Sequence, residues 1–268
     1  MSAFQGKFAF VTGGASGIGR GLCEALAARG AEVTVADVNF EGAQAVADGV
    51  QRAGGKARAL RLDVADDEAV ARALESAGRL DYVFNNAGFA IVGEVRDSDF
   101  ASWRRIVDVN LMGVVAGSLA AYKIMARQGD GHIVNTASLA GLAGMPTGAA
   151  YAMTKAGVVM FSQMLRAEGE ALGVKVSAAC PGFIRTQIFD NAQYLRVDKA
   201  RVLQHIPLPI IELAPAIEGI LAGVERNDAL IVLPFYARLL WRLMRWFPFL
   251  GGPLGRKTMA DFRRLRIP

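Results

Sequence analysis

Cysteine and histidine are scarce in this chain of 268 residues, with two of each. Cys23 and Cys180 lie far apart and His132 and His205 are isolated, so neither metal-ligand spacing nor a disulfide framework is on offer. No metal is therefore expected to take part, and two lone thiols suit a reducing, cytoplasmic compartment. Long apolar runs are missing too. None reaches the roughly 18 residues that a spanning helix needs, and residues 1–11 lack the apolar core of a secretory leader. The expectation is a chain that does not cross a membrane. Charge of one sign is also absent from the body: the net charge is +5, but Arg238, Arg242, Arg245, Arg256, Lys257, Arg263, Arg264 and Arg266 all fall after residue 235. That balance argues against nucleic acid as a partner.

What is present is an apolar fraction of 53%, which over this length suits one large α/β core better than two small ones. Residues 7–11 form a short apolar run that ends in Thr12-Gly13-Gly14-Ala15-Ser16-Gly17-Ile18-Gly19, followed by a helical pattern to Gly30. Strand, glycine loop and helix in that order make a phosphate-binding turn, because glycine lets the backbone approach a pyrophosphate seated on the positive end of the helix. Residues 31–36 read as a second strand ending at Asp37, about 20 residues past the loop, where an acid accepts hydrogen bonds from an adenosine ribose. The same acid would repel a 2′-phosphate, and Ala15, Ser16 and Val38 offer no cation to neutralise one. NAD is thus favoured over NADP, with a helix-capping role for Asp37 as the structural alternative.

Further strands over 57–62, ending at Asp63-Val64, and over 80–84, running into Asn85-Asn86-Ala87-Gly88, alternate with helices. The alternation predicts a doubly wound parallel sheet, the Rossmann fold. A long apolar helix over 103–122 contains Asn110, which needs partners if buried. A fifth strand over 132–136 carries Ser138 to its carboxyl end, where open parallel sheets hold their ligands, whereas His132 begins that strand and reads as structural. Tyr151 and Lys155 stand four apart on a predicted helix and share a face. A cation near a phenol favours the phenolate, which suits proton exchange with an alcohol.

In this order the motifs resemble the short-chain dehydrogenase/reductase family of the classical type, over about residues 5–235. The resemblance implies a catalytic set of Asn110, Ser138, Tyr151 and Lys155. Tyr151 would exchange the proton, Ser138 orient the substrate oxygen, Lys155 bind the nicotinamide ribose and steady the tyrosinate, and Asn110 hold a water on the proton path. It further implies cofactor contacts at Gly13, Ser16, Gly17, Ile18, Gly19 and Asp37, then at Asp63 and Val64 beside the adenine, and at Asn86, Ala87 and Gly88. Pro181, Gly182, Ile184 and Thr186 would contact the nicotinamide, with Tyr151 and Lys155. The implied activity is NAD(H)-dependent interconversion of a secondary alcohol and a ketone.

By the same analogy residues 183–215 cover the substrate, with 187–204 read as one or two helices. Phe183 and Phe189, with Ile188, Tyr194 and Leu195, favour a small hydrophobic partner of sterol, retinoid, long-chain or aryl type, unless they pack inward on the sheet. The expected organisation is a single catalytic domain, 1–235, carrying an amphipathic extension, 236–268. In the stretch 236–250 a basic stripe of Arg238, Arg242 and Arg245 flanks leucine and aromatic side chains. Peripheral membrane contact, capping of the cleft and packing on another subunit all remain open for it. The apolar run 156–164 resembles the helix through which relatives form homodimers and homotetramers. A non-catalytic NAD-binding sensor or scaffold acting through the tail is the alternative, and the intact Ser138, Tyr151 and Lys155 argue against it.

Overall fold

Apolar runs bounded by glycine and acid become strands, and the polar stretches between them become helices that shield both faces of one sheet. The computed structural model describes residues 2–144, 146–205 and 208–267. Its first half runs β1 (Phe8–Thr12), α1 (Gly17–Ala28), β2 (Glu32–Asp37), α2 (Phe40–Arg52), β3 (Lys56–Arg61), α3 (Asp67–Ser76), β4 (Tyr82–Asn85) and the short β5 (Ile91–Val92). There follow α4 (Phe100–Val107), a π-helical turn (Asp108–Met112), α5 (Gly113–Gln128), β6 (Gly131–Thr136), α6 (Ala149–Gly169) and β7 (Val174–Pro181). The chain continues through β8 (Gln193–Tyr194), α7 (Lys199–Gln204), α8 (Leu213–Glu225), β9 (Leu230–Leu233), α9 (Phe235–Trp246) and α10 (Gly251–Arg263).

Seven strands pair in parallel in the order β3-β2-β1-β4-β6-β7-β9. This is the expected doubly wound sheet. The order reverses between β1 and β4, and a crevice opens there at the carboxyl ends of the strands. The central strands are apolar on both faces, as helix-covered parallel strands must be. On one side Leu22, Cys23, Leu26 and Ile217 pack on Val11, Val33 and Val35; on the other Val70, Leu74, Ala121 and Met125 pack on Phe10, Val83 and Ile133. Helix starts are set by short polar side chains. The carboxamide oxygen of Asn39 accepts from Gly42 N at 3.1 Å, and the carboxylate of Asp66 accepts from Ala69 N at 2.8 Å. Asn39, and not Asp37, caps α2.

Two sequence expectations change. The helix over 103–122 extends over Phe100–Gln128 and is interrupted by the π turn. This is the one helical stretch long and apolar enough to cross a membrane among the described residues, yet it lies on the sheet, its Ser118 bonded to Asn85 of β4. The segment 187–204 holds one helix, the short α7, preceded by β8. Upstream of it the backbone N–H groups of Gln193 and Leu195 donate to Ala90 O and Val92 O, so that stretch is drawn out as β8 along β5 instead of coiling.

The extension after β9 folds back over the mouth of the crevice. Phe262 and Leu265 are buried, Leu265 O accepts from Asp198 N, and Ile267 N donates to Arg196 O. Arg263 and Arg266 reach Glu94 at 3.0 and 2.9 Å, and Arg266 also pairs with Asp97. Burying the two apolar side chains is worth about 2 kcal/mol each, so they hold α10 down and the ion pairs fix its register. Of the three roles left open for the extension, covering the cleft is the one that α10 performs. The hydrogen bond from Arg263, assisted by Arg96, holds Glu94 down at about 2 against the ordinary 4.5. Its contribution to the cap is therefore present above about pH 4.5 and is lost as pH falls toward 2. Glu94→Gln should speed amide hydrogen exchange in residues 251–267 while leaving α6 unchanged, and acidification of the wild type over that window should do the same. Equal exchange in variant and wild type would mean that the ion pairs are idle.

Candidate active site

A turn between β1 and α1 has to bring backbone close to whatever lies in the crevice, and two glycines make that approach. A Cβ on Gly19 would stand 2.0 Å from Gly13 O, and one on Gly13 would stand 2.8 Å from the Ala87 Cα. Gly19 is thus the packing contact behind the loop, while Gly13, Ser16, Gly17 and Ile18 line the cavity. Thr12 ties this turn to the end of β4: its hydroxyl accepts from Asn86 N at 3.0 Å and Ala87 N at 3.1 Å. The Asn86 side chain returns a bond to Thr12 O at 3.1 Å. At the start of α1, Gly17 N donates to the Gln187 side-chain oxygen at 3.1 Å. The helix end therefore directs an N–H at a polar acceptor, which is the chemistry a diphosphate needs there.

Asp37 stands at the end of β2 on the same cavity. One carboxylate oxygen accepts from Ala15 N at 3.0 Å and the other from Asn39 N at 2.9 Å, so the acid is held in place by the loop it borders. Asp63, Val64, Asn86, Ala87 and Gly88 also line the cavity, as do Pro181, Gly182, Ile184 and Thr186 from the end of β7. The volume is about 1100 Å³. A groove that joins glycine turn, acid and both strand ends in this way fits a dinucleotide.

Ser138, Tyr151 and Lys155 converge on one wall of that cavity. The Ser138 hydroxyl oxygen accepts from Ala140 N at 3.1 Å, which fixes its rotamer. Lys155 is buried, donates to Thr136 O at 2.7 Å and lies 5.7 Å from the centroid of the Tyr151 ring. Gly141 lets the loop after β6 press on this helix, since a Cβ there would meet Lys155 C at 2.5 Å. Electrostatics in the free protein depart from the simple expectation. Burial raises the Tyr151 phenol above its ordinary 10, against the pull of the neighbouring Ser138 hydroxyl, and burial lowers the Lys155 ammonium from 10.5 to about 8. The lysine is spent on the Thr136 carbonyl and stands off the phenol, so burial prevails over charge.

Asn110 does not line the cavity. It is fully buried in the π turn, where its oxygen accepts from Phe89 N at 3.0 Å and its amide donates to Phe89 O at 2.8 Å. Both ends of the side chain hold the loop after β4, which places Gly88 beside Lys155; a Cβ on Gly88 would lie 3.6 Å from Lys155 Nζ. A π turn shifts the helical hydrogen-bond ladder by one residue, the usual device for presenting backbone at a site. Beneath the site, Asn135 accepts from the Asn85 amide at 2.8 Å and donates to Ser162 at 3.0 Å, while Ser118 bridges the two asparagines. Sequence reading missed this network; Asn135 inside an apolar strand was the available signal. His132 is structural as expected, paired with Ser177 at 2.8 Å.

The distal part of the cavity is apolar. Phe183 and Phe189 stack with centroids 6.3 Å apart, and Phe89, Leu240, Phe262 and Leu265 complete the walls. Tyr194 turns its hydroxyl away to donate to Phe189 O at 2.8 Å. Phe183, Phe189 and Tyr194 all line this part of the cavity.

A family model described as short chain dehydrogenase matches residues 7–194. Cyclohexanol dehydrogenase of Acinetobacter sp. (strain SE19) is 37% identical over 204 residues, 72% of this chain and 80% of that one. Cyclopentanol dehydrogenase of Comamonas sp. (strain NCIMB 9872) is 38% identical over 205 residues, 73% of this chain and 82% of that one. Among solved structures, a short chain dehydrogenase/reductase from Burkholderia phymatum in complex with NAD superposes with a TM-score of 0.84 at 29% identity, covering 93% of this chain and 96% of that chain.

The electrostatics of the free site are open to a direct titration. Ultraviolet difference spectra of wild type against Tyr151→Phe should show the Tyr151 phenol ionising above 10, its ordinary value. Ionisation below that value in the ligand-free protein would mean that the Lys155 charge outweighs burial.

Proposed function

This chain belongs to the short-chain dehydrogenase family, and on that premise we propose that it interconverts apolar secondary alcohols and ketones with NAD(H). The observation that carries the reading is one continuous cavity in which the glycine turn and Asp37 stand at one end, Ser138, Tyr151 and Lys155 in the middle, and an apolar chamber under α10 at the other. When bound, NAD supplies the acceptor or donor of hydride. Tyr151 takes the proton of the alcohol during oxidation and returns it during reduction, and the Ser138 hydroxyl donates to the substrate oxygen and orients it. Lys155, still largely protonated at neutral pH with its value near 8, binds ribose hydroxyls and stabilises the tyrosinate. Asn110 acts on the backbone at Phe89 and thereby on the position of Gly88 and Lys155. The preference for NAD over NADP rests on the Asp37 carboxylate, which would face a 2′-phosphate with no cation among Ala15, Ser16 and Val38 to offset it.

The hydrophobic class of the substrate rests on Phe89, Phe183, Phe189, Leu240, Phe262 and Leu265 in the cavity wall, while the polar lining outside the cofactor end includes Arg104, Arg105, Asp108, Asn191 and His205. The named activities of the two bacterial relatives, on cyclic alcohols, agree with that class. The enzyme works as a homodimer or homotetramer: Met153, Met160 and Met164 of α6 are 45%, 58% and 52% exposed on one face, beside Met112 and Leu119. Reduced nicotinamide absorbance with cyclohexanol as substrate tests the reading. NAD should be reduced in clear preference to NADP. The oxidation rate should climb as pH rises, because Tyr151 must surrender its proton, and the rate of ketone reduction should fall. Tyr151→Phe should lower kcat by about 10²–10⁴-fold while NAD binding persists. Turnover confined to small polar polyols would overturn the substrate class, and full activity in Tyr151→Phe would overturn the mechanism.

A further inference from the structure

Helix α9 has three faces, and the crevice accounts for only one of them. Ala237, Leu240 and Trp241 turn inward, with Ala237 fully buried and Leu240 walling the cavity. Phe235, Leu239, Leu243 and Trp246 recur at helical spacing on the outside and are 77%, 58%, 42% and 78% exposed. Phe249, 71% exposed, lies just beyond the helix end, and Leu254, 47% exposed, stands in the first turn of α10. So contiguous an apolar surface needs an occupant. Next to it on the helix run Arg238, Arg242 and Arg245, all exposed, and Arg256 and Lys257 follow on α10. None of these five cations forms an ion pair among the described residues, and no Asp or Glu occurs between Asp228 and Asp261.

We propose that the outer face of α9, with the turn that follows it, docks on the surface of an anionic lipid bilayer. The charge pattern selects this occupant. An apolar face with aromatic side chains at its ends and arginines along one margin fits acyl chains below and anionic headgroups beside it. A second copy of this chain fits poorly, since a two-fold contact on this face would set one unneutralised arginine row against another. Docking on this face would lay α9 on the bilayer with its inner side chain Leu240 still walling the cavity.

Co-sedimentation with phosphatidylcholine vesicles, with and without phosphatidylglycerol, tests the proposal. The full chain should pellet with the anionic vesicles about tenfold more than with the neutral ones, and added salt should weaken it. Leu239→Ser combined with Trp246→Ser, and separately Arg242→Glu combined with Arg245→Glu, should each abolish pelleting while the melting transition and activity on a water-soluble alcohol stay as in wild type. Wild-type protein left in the supernatant with anionic vesicles would overturn the proposal. So would light scattering that shows a dimer which the Leu239→Ser, Trp246→Ser pair converts to monomers, with no vesicle binding by either.

Discussion

A buried ammonium near a half-buried phenol is the constraint around which this molecule is arranged. Lys155 is held by the Thr136 carbonyl at 2.7 Å, and the ring of Tyr151 lies one helical turn away on α6. Burial works against both charges at once, raising the phenol and lowering the amine. The free protein thus keeps the tyrosine protonated. The catalytic reading asks a cofactor and an alcohol to change that balance in place, with Lys155 close enough to share the resulting charge.

The rest of the fold keeps that pair at the edge of a groove. Parallel strands bring the glycine turn, Asn86 and Ser138 to one end of the sheet, and the reversal of strand order between β1 and β4 opens the crevice. Hydrogen bonds from backbone to Thr12, Asp37 and Asn110 lock the loops that frame it. The chain after β9 then closes the apolar end, with Phe262 and Leu265 as the roof and Glu94 and Asp97 as the anchor. One segment thus supplies the cap and, through the outer side of α9, a surface of its own.

Local features were readable from the amino-acid sequence, and distant ones were not. The turn Thr12 to Gly19 and the four-residue spacing of Tyr151 and Lys155 carry their geometry within a few residues, and the alternation of strands and helices carried the sheet. The bond from Gly17 N to Gln187 spans 170 residues, and Arg266 meets Asp97 across 169, so neither pairing has a local signature. A π turn adds one residue to a helical turn without disturbing the apolar pattern, which hid the way Asn110 is used. Spacing also told the sign of the Lys155 charge but not the depth of the site, and depth decides the phenol. The apolar residues of the drawn-out stretch before α7 suit helix or strand equally, and pairing with β5 decides it.

Direct transfer of hydride at the Tyr151 site is the central claim, and isotope tracing reaches it most directly. With cyclohexanol deuterated at the carbinol carbon and NAD in ordinary water, mass spectrometry of the reduced cofactor should find the deuterium on the nicotinamide ring. Reduced cofactor that carries only solvent hydrogen, or NAD recovered unchanged, would contradict the account.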